Sequence, residues 1–221
     1  VLSMEKAMIK HLLLSLCLVV FAPLSALAEQ SAGDYVEGTH YDLITPAIRT
    51  VEPDKIEVAE FFWYGCGHCY NFEPMIVQWK KTLADDVNFV GSPAMWNPLM
   101  ELHAKAFYAA DALGVFDTMH PVLFQAMNVD RKKLGSQAEI AELFAANGVA
   151  VEDFNKAIDS FGVGSQVRQA NSRARAAKIT GTPALMVNGK YHISSRKAGS
   201  QANMLKIAEY LIERERAATG S

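Results

Sequence analysis

Cysteine is scarce in this sequence, with three among 221 residues. Cys17 stands alone near the N-terminus, whereas Cys66 and Cys69 form a single Cys-x-x-Cys pair. So few cysteines exclude a small scaffold that is held together by several disulfides. A disulfide between Cys66 and Cys69 would also close too small a loop to constrain the unfolded chain strongly. We therefore expect this pair to perform chemistry rather than to hold the fold.

Concentrated positive charge is also missing. The chain has 21 lysines and arginines against 24 acidic residues, a formal net charge of −3, and no basic run stands out. The composition argues against a general nucleic-acid surface, because such a surface needs clustered positive charge. Half of the residues are hydrophobic and a fifth are charged, which is typical of one compact globular unit.

The longest hydrophobic run covers residues 12–27 and follows a short basic segment. It is short for a membrane span, contains Pro23 and ends in Ala26-Leu27-Ala28, which fits the small-x-small cleavage pattern. We interpret residues 1–28 as a signal peptide, the alternative being an uncleaved N-terminal anchor. Cleavage would also remove Cys17, so that the exported chain would keep only the Cys-x-x-Cys pair.

The segment around the cysteine pair is predicted to form a strand, a helix and a second strand. Residues 55–64 are strongly apolar and rich in β-branched and aromatic side chains, which favours a buried strand. Apolar positions recur at helical spacing over residues 67–83, and residues 87–90 indicate the second strand. Cys66 therefore lies where the first strand leads into the helix.

A long helical stretch separates this unit from the last strands. Five helices are predicted there, at residues 98–113, 118–127, 136–147, 151–161 and 164–178. Strands are predicted at 184–187 and 190–193, joined by Asn188-Gly189, a strong hairpin-turn signal, and a final helix at 200–217. The predicted fold class is therefore α/β. Its predicted parts are a first part at 29–96, an inserted helical subdomain at 97–178 and a second part at 179–221.

A Cys-x-x-Cys pair at the start of a helix is suited to thiol–disulfide exchange. Unpaired backbone N–H groups and the positive end of the helix dipole favour a thiolate on the first cysteine. A thiolate is both a nucleophile and a leaving group, so we predict that Cys66 attacks and Cys69 resolves the mixed disulfide. His68 is predicted to stabilise the Cys66 thiolate, the alternative being a solvated loop histidine. A pair whose reduced form is stabilised in this way oxidises other proteins.

Glu60 is a carboxyl group inside an apolar strand. Because Val58–Phe62 looks apolar on both faces, we predict that Glu60 is buried, has a raised pKa and moves protons near Cys69. The alternative is an exposed strand face. Trp63 and Tyr64 are predicted to lie near the site, although aromatic residues on a strand are more often core than contact residues.

The chain carries several further short motifs in a set order. They are Glu60-Phe61-Phe62, Cys66-Gly67-His68-Cys69-Tyr70, Phe72-Glu73, Gly181-Thr182-Pro183 and Val187-Asn188-Gly189-Lys190-Tyr191. Together they resemble the DsbA family of periplasmic thiol:disulfide interchange proteins, and the resemblance extends from about Tyr35 to Arg216. The order of elements also matches, which implies a thioredoxin fold with an inserted helical subdomain.

The resemblance implies the roles given above for the two cysteines, His68 and Glu60. It also makes Pro183 a cis-proline beside the sulfurs, and it makes Thr182 the residue whose backbone pairs with bound peptide. It implies a disulfide donor to newly exported proteins in the periplasm, reoxidised by a quinone-linked membrane partner. No cofactor is needed, because the electrons move between sulfurs. We further expect a monomer that binds neither metal nor nucleic acid.

Two positions differ from the common pattern of that family. Pro-His commonly separates the cysteines in that family, whereas this chain has Gly67-His68, which resembles protein disulfide isomerase. Thr182 stands where valine is common in the family. An isomerase or a reductase would use the same residues, and the reduction potential of the pair separates these roles. The cysteines and His68 could instead bind zinc or copper(I), although a structural zinc site needs four ligands. A peptide-binding module with a purely structural disulfide is a further hypothesis.

Overall fold

The structure, a computed structural model, describes residues 35–219. The predicted signal peptide and Cys17 lie outside these residues. Within them, no helix combines the length and the apolar character that crossing a membrane requires.

One mixed β-sheet forms the centre of the described part of the chain. Its strands are β1 (Asp42–Leu43), β2 (Ile56–Phe62), β3 (Val87–Pro93), β4 (Ala184–Val187) and β5 (Tyr191–Ser194). Their spatial order is β1-β5-β4-β2-β3, with β2 parallel to β3 and antiparallel to β4. All seven residues of β2 are buried, which confirms the predicted buried strand. The cysteine segment therefore starts from an inner strand of the sheet.

Strands β4 and β5 form the predicted hairpin. Asn188 (φ 49°) and Gly189 (φ 65°) occupy its turn, and a type I′ turn requires positive φ at both positions. A side chain at position 189 would not fit, because a Cβ there would lie 1.9 Å from the carbonyl oxygen of Ile48. Strand β1, which pairs with β5, was not predicted, because two residues are too few to show an alternating pattern.

Helices account for most of the remaining described residues. They are α1 (Gly67–Lys80), α2 (Pro98–Ala112), α3 (Phe116–Asn128), α4 (Gln137–Ala145), α5 (Val151–Ile158), α6 (Phe161–Ala176), α7 (Ser195–Ala198) and α8 (Gln201–Thr219). Helices α2 to α6 are the five predicted between β3 and β4. Helix α6 begins at Phe161 rather than at residue 164, because the Ser160 side chain accepts the Val163 N–H as an N-cap. The single turn α7 was not predicted.

Helices pack against both faces of the sheet. Helices α1 and α8 cover one face around Phe72, and the end of α6 covers the other through Ala174. A further hydrophobic cluster fills the space among α2 to α6. Phe62, Tyr64 and Cys69 belong to this cluster, so the segment that carries the cysteines packs against these helices.

Candidate active site

Cys66 lies in the turn between β2 and α1. It is the N-cap of α1, with extended backbone (φ −91°, ψ 111°), and its N–H donates to the Trp63 carbonyl at 2.9 Å. A Cβ at position 65 would lie 2.4 Å from the Trp63 ring, so a larger residue in this turn would force that ring to move. The arrangement leaves Cys66 partly exposed, whereas Cys69, one helical turn later, is fully buried.

The two thiols have opposite electrostatic environments. A hydrogen bond from the Cys69 thiol is the largest effect that lowers the pKa of Cys66 to about 5, against the opposing effect of burial. The side chain of Thr182 and the backbone N–H groups of Cys69 and His68 lower it further. Burial raises the pKa of Cys69 well above its ordinary value, and its hydrogen bond to Cys66 raises it more. At neutral pH, Cys66 is therefore a thiolate while Cys69 keeps its proton.

Thr182 and Pro183 bring the last part of the chain to the cysteines. The peptide bond between them is cis, and Pro183 is buried. The Sγ of Cys66 lies 3.5 Å from the Thr182 carbonyl oxygen. The structure thus places the two motifs against each other although they are 116 positions apart in the sequence. Pairing of the Thr182 backbone with a bound peptide stays a prediction.

His68 contributes to the site through its backbone. Its N–H is one of the donors that lower the pKa of Cys66, and its carbonyl accepts a hydrogen bond from the Gln201 side chain at 2.6 Å. The His68 side chain itself is exposed. Stabilisation of the thiolate by the imidazole ring therefore stays a prediction.

Glu60 is buried in β2, as its apolar surroundings predict, with 3% of its surface exposed. Its Oε1 has no hydrogen-bond partner among the described residues, in contrast to the neighbouring buried carboxylate of Glu57, which binds Arg173. Burial, and secondly the negative charge of Glu73, raise the pKa of Glu60 to about 8, although Lys80 opposes them. Glu60 lines a cavity of 1280 Å³ between the sheet and the surrounding helices. Proton transfer from Glu60 to Cys69 stays a prediction.

Both aromatic residues before the cysteines bind histidines from the helices after β3. The Trp63 indole donates to Nδ1 of His103 at 3.0 Å, and the hydroxyl of the buried Tyr64 lies 2.8 Å from Nδ1 of His120. Nε2 of His120 in turn lies 3.4 Å from a carboxylate oxygen of Glu73. The Trp63 carbonyl also accepts the Cys66 N–H, and Tyr64 belongs to the same hydrophobic cluster as Cys69. Trp63 and Tyr64 therefore lie beside the cysteines, as predicted.

His103, His120 and Glu73 were not predicted from the sequence as members of this site. The two histidines stand in helices with many apolar residues, where a lone histidine usually is a core residue, so neither carries a recognisable signal. Glu73 belongs to the Phe72-Glu73 motif, but the motif alone does not indicate which side chain it meets. Only a motif that included α3 could have identified His120.

Metal binding is the hypothesis that the geometry addresses most directly. Among residues 35–219, no three or more histidine, cysteine, aspartate or glutamate side chains are grouped so that they could hold a metal ion.

Comparison with known proteins identifies similar sequences. Residues 78–206 match the model of the DSBA-like thioredoxin domain family. The chain is 40% identical over 201 residues to the thiol:disulfide interchange protein DsbA of Pseudomonas aeruginosa PAO1, which covers 91% of this chain and 95% of that protein. It is 42% identical over 188 residues to the protein of the same name from Azotobacter vinelandii, covering 85% of this chain and 88% of the relative.

Solved structures show the same similarity in three dimensions. The crystal structure of Pseudomonas aeruginosa DsbA superposes with a TM-score of 0.82 at 40% identity, covering 85% of this chain and 98% of that one. The oxidoreductase DsbA from Xylella fastidiosa superposes with a TM-score of 0.76 at 32% identity, covering 83% of this chain and 98% of that one.

Proposed function

Because this chain belongs to the DsbA family of thioredoxin-fold thiol:disulfide oxidoreductases, we propose that it donates a Cys66–Cys69 disulfide to newly exported proteins. The supporting observation is that the two thiols differ in exposure and in pKa. Cys66 is partly exposed with a pKa of about 5, whereas Cys69 is buried with a raised pKa. A reduced pair that contains a stabilised thiolate makes its disulfide a strong oxidant.

The reaction consists of two exchange steps. A client thiolate attacks Sγ of Cys66, the bond between Cys66 and Cys69 breaks, and its electron pair leaves on Cys69. A second client thiolate then attacks the client sulfur of the mixed disulfide and expels Cys66 as a thiolate. Two electrons pass from the client dithiol to the cysteine pair, and the client gains a disulfide.

The first step requires a proton for Cys69. Because burial raises the pKa of Cys69, a buried Cys69 thiolate is energetically unfavourable. The sulfur must therefore be protonated as the disulfide opens. We assign this role to Glu60, whose pKa of about 8 keeps it protonated at neutral pH and leaves it able to release the proton. The cavity beside Glu60 would let that proton be replaced from solvent.

Client binding is assigned to the segment that touches Cys66. The Thr182 carbonyl lies beside the sulfur that carries the client in the mixed disulfide. A client backbone that lies against Thr182 would hold its cysteine in line with Cys66, and Pro183 offers no N–H that could compete for the client's carbonyl groups.

The remaining assignments follow the family. We propose removal of residues 1–28 as a signal peptide, a periplasmic location, action as a monomer, and reoxidation by a quinone-linked membrane protein. The client proteins supply the free cysteines.

An isomerase or reductase is the second candidate, and one observation favours it. Gly67 occupies the position between the cysteines where proline is common in the family, and a Cβ at position 67 would meet no atom closer than the Asn128 Oδ1 at 3.9 Å. The space would accept a larger residue, so the glycine is not imposed by packing.

The reduction potential separates these candidates. The protein without residues 1–28 is equilibrated in glutathione buffers, and the reduced fraction is measured by thiol alkylation. A potential near about −120 mV, the reference value for DsbA rather than one derived from this chain, supports disulfide donation. A value at or below roughly −180 mV, the range of isomerases and reductases, contradicts it. Oxidation of reduced ribonuclease and rearrangement of scrambled ribonuclease measure the two activities directly, with the Cys66→Ser variant as the control.

A further inference from the structure

We propose that His120 is a positioning residue that holds the Glu73 carboxylate beside Glu60 while it binds the Tyr64 hydroxyl next to the cysteine turn. His120 belongs to α3, Glu73 to α1, and Tyr64 to the segment that joins β2 to α1. One imidazole therefore connects α3 to the chain on both sides of the cysteines. The positioning of Glu73 by His120 is independent of the proposed function. Only its effect on proton transfer to Cys69 rests on the role proposed for Glu60.

The two ring nitrogens of His120 face two different partners. Nε2 lies 3.4 Å from Oε1 of Glu73. Nδ1 lies 2.8 Å from the Tyr64 hydroxyl, within hydrogen-bonding distance. The imidazole is therefore placed between the carboxylate on one side and the hydroxyl on the other.

The surroundings restrict the ring to this orientation. His120 stacks on Phe116 with a centroid distance of 4.7 Å and an interplanar angle of 26°. The edges or faces of Phe62, Tyr64 and Phe124 enclose it at centroid distances of 5.1 to 5.4 Å. Only 12% of the His120 side chain and 18% of the Glu73 side chain are exposed. The contact with Glu73 is therefore largely shielded from solvent.

The position of Glu73 matters because its charge acts on Glu60. After burial, the Glu73 carboxylate is the second cause that raises the pKa of Glu60. Further charged or titratable side chains that line the same cavity are Arg49, Lys80, Lys81, Tyr108, Asp111, Asp117 and Arg173. Without His120, the Glu73 carboxylate would turn towards water, because hydration favours that movement.

Carbon-13 NMR of glutamate-labelled protein tests this inference. The Glu60 carboxyl signal is assigned by its absence in Glu60→Gln and titrated in the reduced wild-type protein and the variants. His120→Phe keeps a stacking ring and removes both ring nitrogens, and we expect it to lower the pKa of Glu60 by about one unit. Glu73→Gln should lower this pKa at least as much, and the double variant should lower it no further.

Two results would overturn the proposal. One is an unchanged or raised pKa of Glu60 in His120→Phe. The other is a shift by His120→Phe that is equally large in the wild-type and the Glu73→Gln backgrounds. If His120→Phe fails to fold because Tyr64 loses its acceptor, the same comparison is made in Tyr64→Phe, where that hydroxyl is absent. The titration does not require the protein to turn over a client. The positioning role of His120 can therefore be contradicted while disulfide donation is confirmed, and disulfide donation can be contradicted while the positioning role is confirmed.

Discussion

The Sγ of Cys66 lies 3.5 Å from the carbonyl oxygen of Thr182, a residue 116 positions away. This contact joins the N-terminus of α1 to the residue that precedes the cis-proline before β4. It places the more reactive sulfur beside the stretch of backbone that we propose as the client-binding segment. The contact thus brings the sulfur whose pKa is lowered by Cys69 together with the segment to which client binding is assigned.

Replacing one cysteine at a time should separate their roles. We expect Cys69→Ser to accumulate mixed disulfides when it is mixed with disulfide-bonded client proteins, because the Cys66 thiolate attacks the client disulfide and no Cys69 thiol is present to resolve the bond. Cys66→Ser should form none, because the remaining thiol is buried. Non-reducing electrophoresis of the alkylated variants measures both. Equal trapping by the two variants would contradict the assignment of Cys66 as the exposed sulfur.

The difference in free energy of unfolding between the reduced and the oxidised protein should vary with pH between about 5 and 9. The folded reduced protein has a Cys66 pKa of about 5 against an ordinary value of 9.0, so between these values it binds fewer protons than the unfolded chain. Reduced protein should therefore gain free energy of unfolding as the pH rises through this range, relative to the oxidised protein, which has no free thiol. Urea unfolding of both forms measures the difference. A difference that is flat with pH would show that the Cys66 pKa is not lowered.

Glu60 should make the free energy of unfolding fall as the pH rises, opposite to the effect of Cys66, and Glu60→Gln should abolish this fall. Folding raises the pKa of Glu60 from 4.5 to about 8, so the wild-type protein loses stability as the pH rises across that interval. The full loss, reached above pH 8, is up to about 5 kcal/mol at 1.36 kcal/mol per pKa unit. An amide at position 60 does not titrate, so the loss should disappear in the variant. Oxidised protein is the form to unfold here, because it excludes the titration of the thiols.

Client oxidation by Glu60→Gln should also slow, because an amide cannot supply the proton for Cys69. We expect a decrease of about 10²-fold in the rate of the first exchange step, with the affinity for client unchanged. This rate is measured by stopped-flow mixing of a reduced client with the oxidised protein, in which Cys66 and Cys69 form the disulfide. An unaltered rate between pH 6 and pH 9 would remove Glu60 from the mechanism.

Gly67→Pro tests whether the residue between the cysteines sets the redox character. Position 67 begins α1, where proline is favoured, and the space around it is open. We expect a folded protein that is about 0.4 to 1 kcal/mol more stable, because proline restricts the unfolded chain. The potential is measured in the same glutathione buffers as for the wild-type protein. A more oxidising potential would identify Gly67 as a residue that weakens oxidation, whereas an unchanged one would exclude it.

Gly189→Ala should destabilise the protein more than Gly114→Ala. Both glycines have positive φ, 65° and 67°, but a Cβ at 189 would lie 1.9 Å from the Ile48 oxygen, whereas one at 114 would meet nothing within 4 Å. Gly114→Ala should therefore cost about 1 kcal/mol for the left-handed conformation alone. The cost at position 189 should exceed this by about 1 kcal/mol or more. Thermal unfolding of both variants measures the difference, and equal losses would show that the hairpin can move away from Ile48.

Features that depend on neighbouring residues could be derived without the structure. The apolar run before Gly65 predicts a buried β2, and the helical pattern after it places Cys66 at the start of α1. Asn188-Gly189 predicts the hairpin turn, since few residue types besides these adopt positive φ. The strand, the helix start and the turn each follow from local backbone sterics or from the period of a hydrophobic pattern. A few consecutive residues are enough to show either of these signals.

Features that depend on distant residues required the tertiary structure. The contact between Cys66 and Thr182 and the chain from Tyr64 through His120 to Glu73 join residues whose separation carries no periodic signal. The direction of the Glu60 pKa could be expected from its apolar neighbours, but the contribution of Glu73 depends on where α1 packs. Local sequence was thus enough to locate the reactive sulfurs. Their environment was decided by packing, because hydrogen bonds and charges act through space rather than along the chain.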